Sequence, residues 1–92
     1  MLVKNMTGRT GQAVPNQFIV WDDAGNCYYQ SYYTVIARRD AAGKITLDRD
    51  KWDYSVTTGR YRNQFLGETT VETKAKISSG EYGMDDLNPA VH

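Results

Sequence analysis

The stretch WDYSVTTGRYRNQFLG, residues 52–67, carries the signals that decide how the second half of this chain folds. The threonine pair at residues 57–58 can accept hydrogen bonds from the first free amides of a helix, and Gly67 can adopt the left-handed conformation that ends one. Tyr61 and Phe65 are four residues apart, so a helix places them on one face. The stretch therefore predicts a short helix that packs with both rings inward.

A second helix is predicted immediately afterwards. Thr69 and Glu72 have the spacing of a capping box, in which each side chain accepts a hydrogen bond from the backbone amide of the other residue. Val71 and Ala75 would then share the inward face, together with Ile77 or Ser78. Gly80 follows as a helix stop.

The first half of the chain has the composition and turn residues of β-strands. Strand-forming apolar residues occupy 18–21, and a tyrosine-rich block follows at 27–33. Between them, the DDAGN sequence at 22–26 favours a turn, because its Asp side chains can bond the local backbone and its glycine tolerates positive φ. A second turn at 40–44 precedes a half-buried strand at 45–48.

Strands first and helices afterwards is the order of an α+β domain. We predict one domain over residues 1–92, with a small antiparallel β-sheet of three to four strands followed by two short helices packed on one face. The expected parts are an irregular N-terminal segment, a β-meander, two helices and a tail, at residues 1–15, 16–48, 57–79 and 81–92. Residues 2–6 are a candidate for an additional edge strand.

Composition argues against several classes of partner. The chain has 11 Lys and Arg against 11 Asp and Glu, and zero net charge removes the simplest argument for nucleic acid or an anionic membrane. The charge is uneven, since residues 1–67 hold nine basic and six acidic side chains and residues 68–92 hold two and five. No apolar run approaches the roughly 20 residues that span a bilayer. The single cysteine, Cys27, cannot form an internal disulfide, so we expect a cytoplasmic location.

The chain has few residues for catalysis or metal binding. His92 is the only histidine and is the last residue of the sequence, so a catalytic pair would require that tail to pack against the body. One cysteine and one histidine do not make a zinc site. The acidic stretch 48–53 lacks the glycine and glutamate of a calcium loop. We expect no catalytic residues, no metal, no cofactor and no enzymatic activity.

The tyrosine block CYYQSYY, residues 27–33, is the second strongest functional signal. Neighbouring side chains of a strand point to opposite faces, so Tyr28 and Tyr29 cannot both enter one core, and the same holds for Tyr32 and Tyr33. Three interpretations stay open. They are aromatic packing across the sheet, a protein interface, and a platform on which nucleic-acid bases stack.

Several short motifs resemble a group of small uncharacterised proteins from bacteriophages and mobile elements. The motifs are NQFIV at 16–20, YQSY at 29–32, WDYS at 52–55, the threonines at 57–58, and FLG at 65–67. The resemblance covers about residues 3–88. The group has no established activity, so it implies no functional residues. It implies a compact accessory protein made during phage infection that blocks or redirects a partner.

Two hypotheses for function follow. The first is a non-enzymatic protein that binds a host or phage protein, with homodimer formation as an option at an exposed sheet edge. The alternative is a single-stranded DNA- or RNA-binding protein that uses aromatic stacking and arginines. The predicted binding residues are Tyr29, Tyr32, Arg38, Arg60 and Arg62.

Overall fold

The computed structural model describes residues 1–89, which form one six-stranded mixed sheet and two helices. The sheet follows the order of the chain, with antiparallel neighbours up to the fifth strand and a parallel pair at the end. The α+β class is confirmed, but the predicted three to four strands were too few. The elements are β1 (Leu2–Thr7), β2 (Ala13–Trp21), β3 (Cys27–Ser31), β4 (Thr34–Arg39), β5 (Ile45–Asp48), α1 (Val56–Leu66), α2 (Thr70–Ser78) and β6 (Gly83–Asp85).

The first additional strand, β1, is the candidate edge strand at residues 2–6, and the last, β6, lies in the segment that was expected to be a tail. β1 pairs with β2 because the intervening loop reverses the chain, with the Gly8 amide donating to the Gln12 carbonyl at 2.8 Å. β6 pairs in parallel with β5 within the predicted tail. A parallel neighbour needs a long crossover, which α1 and α2 provide, so no local pattern announces it. The end of the predicted tail, residues 90–92 with His92, lies outside the described residues.

The core lies between the sheet and the helices. Tyr29, Ala37 and Leu47 stand opposite one another on β3, β4 and β5 and are fully buried. Phe65 of α1 packs on them, with its ring centroid 6.2 Å from that of Tyr29. A register shift between β3 and β4 forms a bulge, so the consecutive residues Ile36 and Ala37 are both buried in the core.

The helix ends follow the sequence signals with one correction. α1 is capped by Ser55, whose hydroxyl accepts a hydrogen bond from the Thr58 amide at 3.0 Å, so the helix begins earlier than the threonine pair suggested. Gly67 ends α1 with φ +71°, and Thr69 and Glu72 form the predicted capping box of α2. Local signals of this kind act within a few residues, which is why they can be read from sequence.

The inward face of α2 was predicted correctly at Ile77 and wrongly at Val71 and Ala75. Val71 is 77% exposed and Ala75 is also exposed, whereas Thr73 is fully buried and Ile77 packs against the core. The buried carboxylate of Glu68 explains the rotation, because it accepts a hydrogen bond from the Thr73 hydroxyl and holds that side of the helix inward. A polar contact thus outweighs the burial of one valine and one alanine.

Candidate functional site

The five predicted binding residues are spread over the fold and do not form one surface. Tyr29 and Arg62 are fully buried. Arg38 is half-buried on the sheet face opposite the helices. Tyr32 is exposed at a turn and Arg60 is exposed on α1. Each position therefore has to be considered by itself.

Tyr29 is a core residue. Its hydroxyl donates a hydrogen bond to Oε1 of Gln17 at 2.6 Å, and both side chains are buried. Burial raises the pKa of Tyr29 to about 12, so the hydroxyl stays protonated at neutral pH. A side chain with no exposed surface cannot contact a partner while the protein is folded, and Tyr29 is excluded from the site for that reason.

Arg62 connects three segments from a fully buried position. Its Nη1 donates to the carbonyl oxygen of Trp52 at 2.6 Å and to Oδ1 of Asp53 at 2.9 Å. Its Nη2 donates to Oδ1 of Asn63 at 3.0 Å and to the Thr70 hydroxyl at 2.9 Å. The guanidinium also lies 5.0 Å from the centre of the Trp52 ring. These contacts join the loop before α1 to the start of α2, so the role of Arg62 is structural.

Arg38 lies on the sheet face that the helices leave uncovered. On β4 it stands between Tyr28 of β3 and Thr46 of β5, and its Nη2 donates to the Thr46 hydroxyl at 3.2 Å. The Tyr28 hydroxyl is in turn bonded to Asp22 at 3.0 Å. Both long side chains are therefore already engaged within the sheet.

Tyr32 and Tyr33 form a two-residue connection between β3 and β4, and we name residues 31–34 the tyrosine turn. Tyr32 has φ +55°, a left-handed conformation for which such turns favour Gly or Asn. Its amide donates to the Asn16 carbonyl at 2.7 Å, and the Gln30 amide group donates to its carbonyl at 2.8 Å. Tyr32 is 55% exposed and Tyr33 is 96% exposed. The fold holds two aromatic rings in solvent at a strained position.

The surface continues from the tyrosine turn toward α1. Tyr33 and Lys51 line a hollow of about 280 Å³, and Nζ of Lys51 lies 5.3 Å from the centre of the Tyr54 ring. The other lining residues of the hollow are polar, and three of them are carboxylates: Thr34, Asp48, Asp50, Asp86 and Asn88. Tyr54 and Val56 then line a groove of about 640 Å³ beside α1. Both are exposed, Val56 by 85%. We name this continuous surface the tyrosine end; its members are Tyr32, Tyr33, Lys51, Tyr54 and Val56.

A second cavity of about 710 Å³ lies between the β1–β2 loop and α1, and we name it the arginine cavity. Arg9 and Arg60 line it together with Tyr61 and Gln64, and within residues 1–89 no carboxylate does. The Gln64 side chain donates to the Thr7 carbonyl at 3.1 Å and so fastens the loop to the helix. Arg60 is thus the one predicted residue that faces a cavity containing a second cation.

Sequence reasoning missed Tyr33, Tyr54, Val56 and Arg9. Strand alternation predicted at least one ring of each tyrosine pair outside the core, but it did not indicate that the second pair is a turn, which exposes both of its rings. Tyr54 and Val56 flank the cap of α1, and a cap position earlier than the predicted one would have marked them as exposed. Nothing near Arg9 in the sequence indicates that it meets Arg60, since 51 positions separate them.

The described residues hold no recognisable metal centre. Within residues 1–89, no three His, Cys, Asp or Glu side chains are close enough to one another to bind a metal ion. Cys27 is half-buried. Burial raises the pKa of its thiol, and the positive charge of Arg39 lowers that pKa by a smaller amount. In the same range of the chain, no helix has the length and apolar character needed to cross a membrane.

Comparison with known proteins identifies a family but not an activity. The family model DUF8033, described as a family of unknown function, matches residues 1–82. No curated protein and no solved structure matches the chain. The matched range contains the tyrosine end and the arginine cavity, whereas β6 lies beyond it. The expectation of an uncharacterised family is confirmed, and its phage or mobile-element origin stays a prediction. The chain belongs to DUF8033, a family of unknown function.

Proposed function

We propose that this protein is a non-enzymatic accessory protein that binds another protein through the tyrosine end. The conformation of the tyrosine turn carries the proposal. A non-glycine residue in the left-handed region costs about 1–2 kcal/mol, and Gly at residue 32 would remove that cost. Tyr33 is almost fully exposed, so it adds nothing to the core. Backbone strain retained at exposed aromatic residues is typical of binding sites.

The composition of the tyrosine end also supports protein binding. Three of its five side chains are tyrosines, which provide a large contact area with few rotatable bonds and are enriched at interaction hot spots. Val56 adds exposed apolar surface next to Tyr54. The hydrogen bonds of Tyr32 to Asn16 and Gln30 limit the motion of the turn, so little conformational entropy is lost on binding.

The partner that we propose is a host or phage protein in the cytoplasm. The resemblance to phage and mobile-element proteins supports the source, and the lone Cys27 agrees with a reducing compartment. A second copy of the chain is the other protein to consider, because β1 is an edge strand on which Leu2 and Val3 are more than half exposed. Light scattering of the purified protein distinguishes a monomer from a dimer.

Site-specific crosslinking tests the proposal. We expect p-benzoylphenylalanine at residue 33 to crosslink a discrete protein from a lysate of the source cells. The control carries it at residue 71 on α2, which is 77% exposed and outside the tyrosine end, and it should not yield that product. The double variant Tyr32→Gly/Tyr33→Ser should lose capture of the same protein while its thermal stability is unchanged or higher. Equal capture by this variant, or the same product from residue 71, would contradict the proposal.

A further inference from the structure

We infer that the arginine cavity binds a phosphate group of single-stranded nucleic acid. Two guanidinium groups, those of Arg9 and Arg60, line one cavity of about 710 Å³. Guanidinium groups bind phosphate oxygens through paired, charge-assisted hydrogen bonds. The cavity lies on the β1 side of α1, and Arg60 also borders the groove that Tyr54 and Val56 line.

The charge distribution around the cavity favours an anion. Residues 1–21 and 54–67 together contain four Lys and Arg and no Asp or Glu. The fold brings these two segments together, as the hydrogen bond from Gln64 to the last residue of β1 shows. Arg62 is buried in its own network, and the three exposed cations are Lys4, Arg9 and Arg60. Exposed cations therefore outnumber carboxylates within these two segments, and the nearest carboxylate in the sequence before α1, Asp53, lines the neighbouring groove with Arg60.

Arg9 and Arg60 are available to a ligand. Within residues 1–89, neither is in ion-pair distance of a carboxylate, and neither side chain donates a hydrogen bond to another residue. Uncompensated cations around a cavity raise the local concentration of anions. The hydrogen bond from Gln64 to the Thr7 carbonyl joins the loop to α1, so the backbone segments that carry the two arginines are linked.

The aromatic ring in the cavity favours nucleic acid over an acidic peptide. Tyr61 lines the cavity with the two arginines and rests against the core, so its position is set by the fold. Single-stranded nucleic acids stack bases on aromatic rings while basic side chains contact the backbone. A carboxylate-rich peptide would use the cations alone. The volume is also within the range of small-ligand pockets.

Fluorescence anisotropy with a labelled oligothymidylate at low ionic strength tests the inference. We expect the wild-type protein to bind, and Arg9→Ala/Arg60→Ala to weaken binding at least about tenfold. The slope of log affinity against log salt should fall by about 0.7 for each arginine removed. Tyr61→Leu should weaken binding, whereas Tyr61→Phe, which keeps the ring, should bind as the wild type does.

A charge-matched control variant distinguishes binding in the arginine cavity from non-specific electrostatic attraction to the whole protein. Arg49→Ala/Lys74→Ala removes two exposed cations outside the cavity and should change affinity by less than about twofold. An equal loss in this control, or no binding by the wild type at low salt, would overturn the inference. Competition by polyglutamate as effective as that by unlabelled oligothymidylate would assign the cavity to acidic peptides instead. Tyr33→Ser should leave oligonucleotide affinity unchanged. The absence of oligonucleotide binding would therefore overturn this inference without bearing on the proposed protein contact at the tyrosine end.

Discussion

Arg62 carries a positive charge at a fully buried position, where the loss of hydration raises the free energy of the folded state. Full burial removes its guanidinium from water, and the hydrogen bonds of Nη1 and Nη2 to four residues replace part of the lost hydration, while Nε has no partner among the described residues. Its carboxylate partner, Asp53, keeps 39% of its side-chain surface exposed, so the ion pair is only partly desolvated. The stabilising effect of Arg62 therefore comes mainly from joining the loop before α1 to the start of α2.

Replacing Arg62 should destabilise the protein strongly. We expect Arg62→Ala to lower the free energy of unfolding by about 2–4 kcal/mol, because a fully buried side chain is removed and its partly buried acceptors lose their donor. Arg60→Ala is the matched control, since it removes an exposed arginine from the same helix and should change stability by less than about 0.5 kcal/mol. Urea unfolding of both variants measures the difference. Similar values for the two would mean that the buried network adds no net stability.

At the scale of the element, α1 is well capped but has a glycine in its interior. Ser55 begins the helix and Gly67 ends it in the left-handed conformation. Gly59 is buried and has no positive φ, and a Cβ atom placed there would lie 3.6 Å from Nη2 of Arg62 and 3.7 Å from Oδ1 of Asp53. These are ordinary van der Waals distances. The fold therefore has room for a methyl group at residue 59, although glycine, which loses more conformational entropy in a helix than alanine does, occupies that position.

Alanine should have opposite effects at the two glycines of α1. We expect Gly59→Ala to raise the free energy of unfolding by about 0.5–1 kcal/mol through helix propensity and a less flexible unfolded chain. Gly67→Ala should lower it by about 1 kcal/mol, because residue 67 has φ +71°. Thermal unfolding of the two variants provides the measurement. A loss of stability in Gly59→Ala would show that the Arg62–Asp53 pair does not tolerate the added methyl.

At the scale of the whole molecule, two carboxylates fasten the end of the described chain to the body. Glu68 accepts hydrogen bonds from Nζ of Lys76 at 2.8 Å and from the Tyr82 hydroxyl at 2.6 Å, which joins α2 to the residue before β6. Asp48 accepts from the Leu87 amide at 2.9 Å and from the Asn88 side chain at 3.0 Å. The crossover from β5 to β6 is therefore closed by polar contacts as well as by apolar packing.

The Glu68 contacts make stability depend on pH. Burial raises the pKa of this carboxyl, but hydrogen bonds from Lys76, Thr73 and Tyr82 outweigh it and bring the pKa below its ordinary value of 4.5. Because the pKa of Glu68 is lower in the folded state than in the unfolded chain, the ionised carboxylate stabilises the folded protein. This stabilisation is fully present above about pH 4.5 and is lost as the pH falls through the folded-state pKa.

We expect Glu68→Gln to flatten the decline in unfolding free energy between neutral and acidic pH, as measured by urea unfolding at several pH values. Glu81→Gln, which changes an exposed glutamate, should keep the wild-type pH dependence. A Glu68→Gln profile that parallels the wild type would show that other carboxylates are responsible for the decline.

The fold could be predicted further from the sequence than the site could. The turn at residues 22–26, the capping box of α2 and the stop at Gly67 all formed as expected. The edge strand β1 formed at the candidate residues 2–6, whereas β6 required a parallel partner that no local pattern indicates. For the site, the arginines of α1 looked equivalent, yet Arg62 is buried and Arg60 is exposed. Position on the helix face, set by the packing of Phe65, separates them.

The sequence by itself determined the α+β class, the meander and the helix ends, because turns and caps depend on hydrogen bonds among a few consecutive residues. Only the tertiary structure decided which tyrosines are exposed, that Val71 faces solvent, and that Arg9 meets Arg60. Those outcomes depend on side chains brought together from distant parts of the chain, where packing and desolvation decide which groups are buried. Residues 52–67 thus encode a helix locally, while the tertiary packing around it buries Arg62 and leaves Arg60 exposed at the cavity that Arg9 also lines.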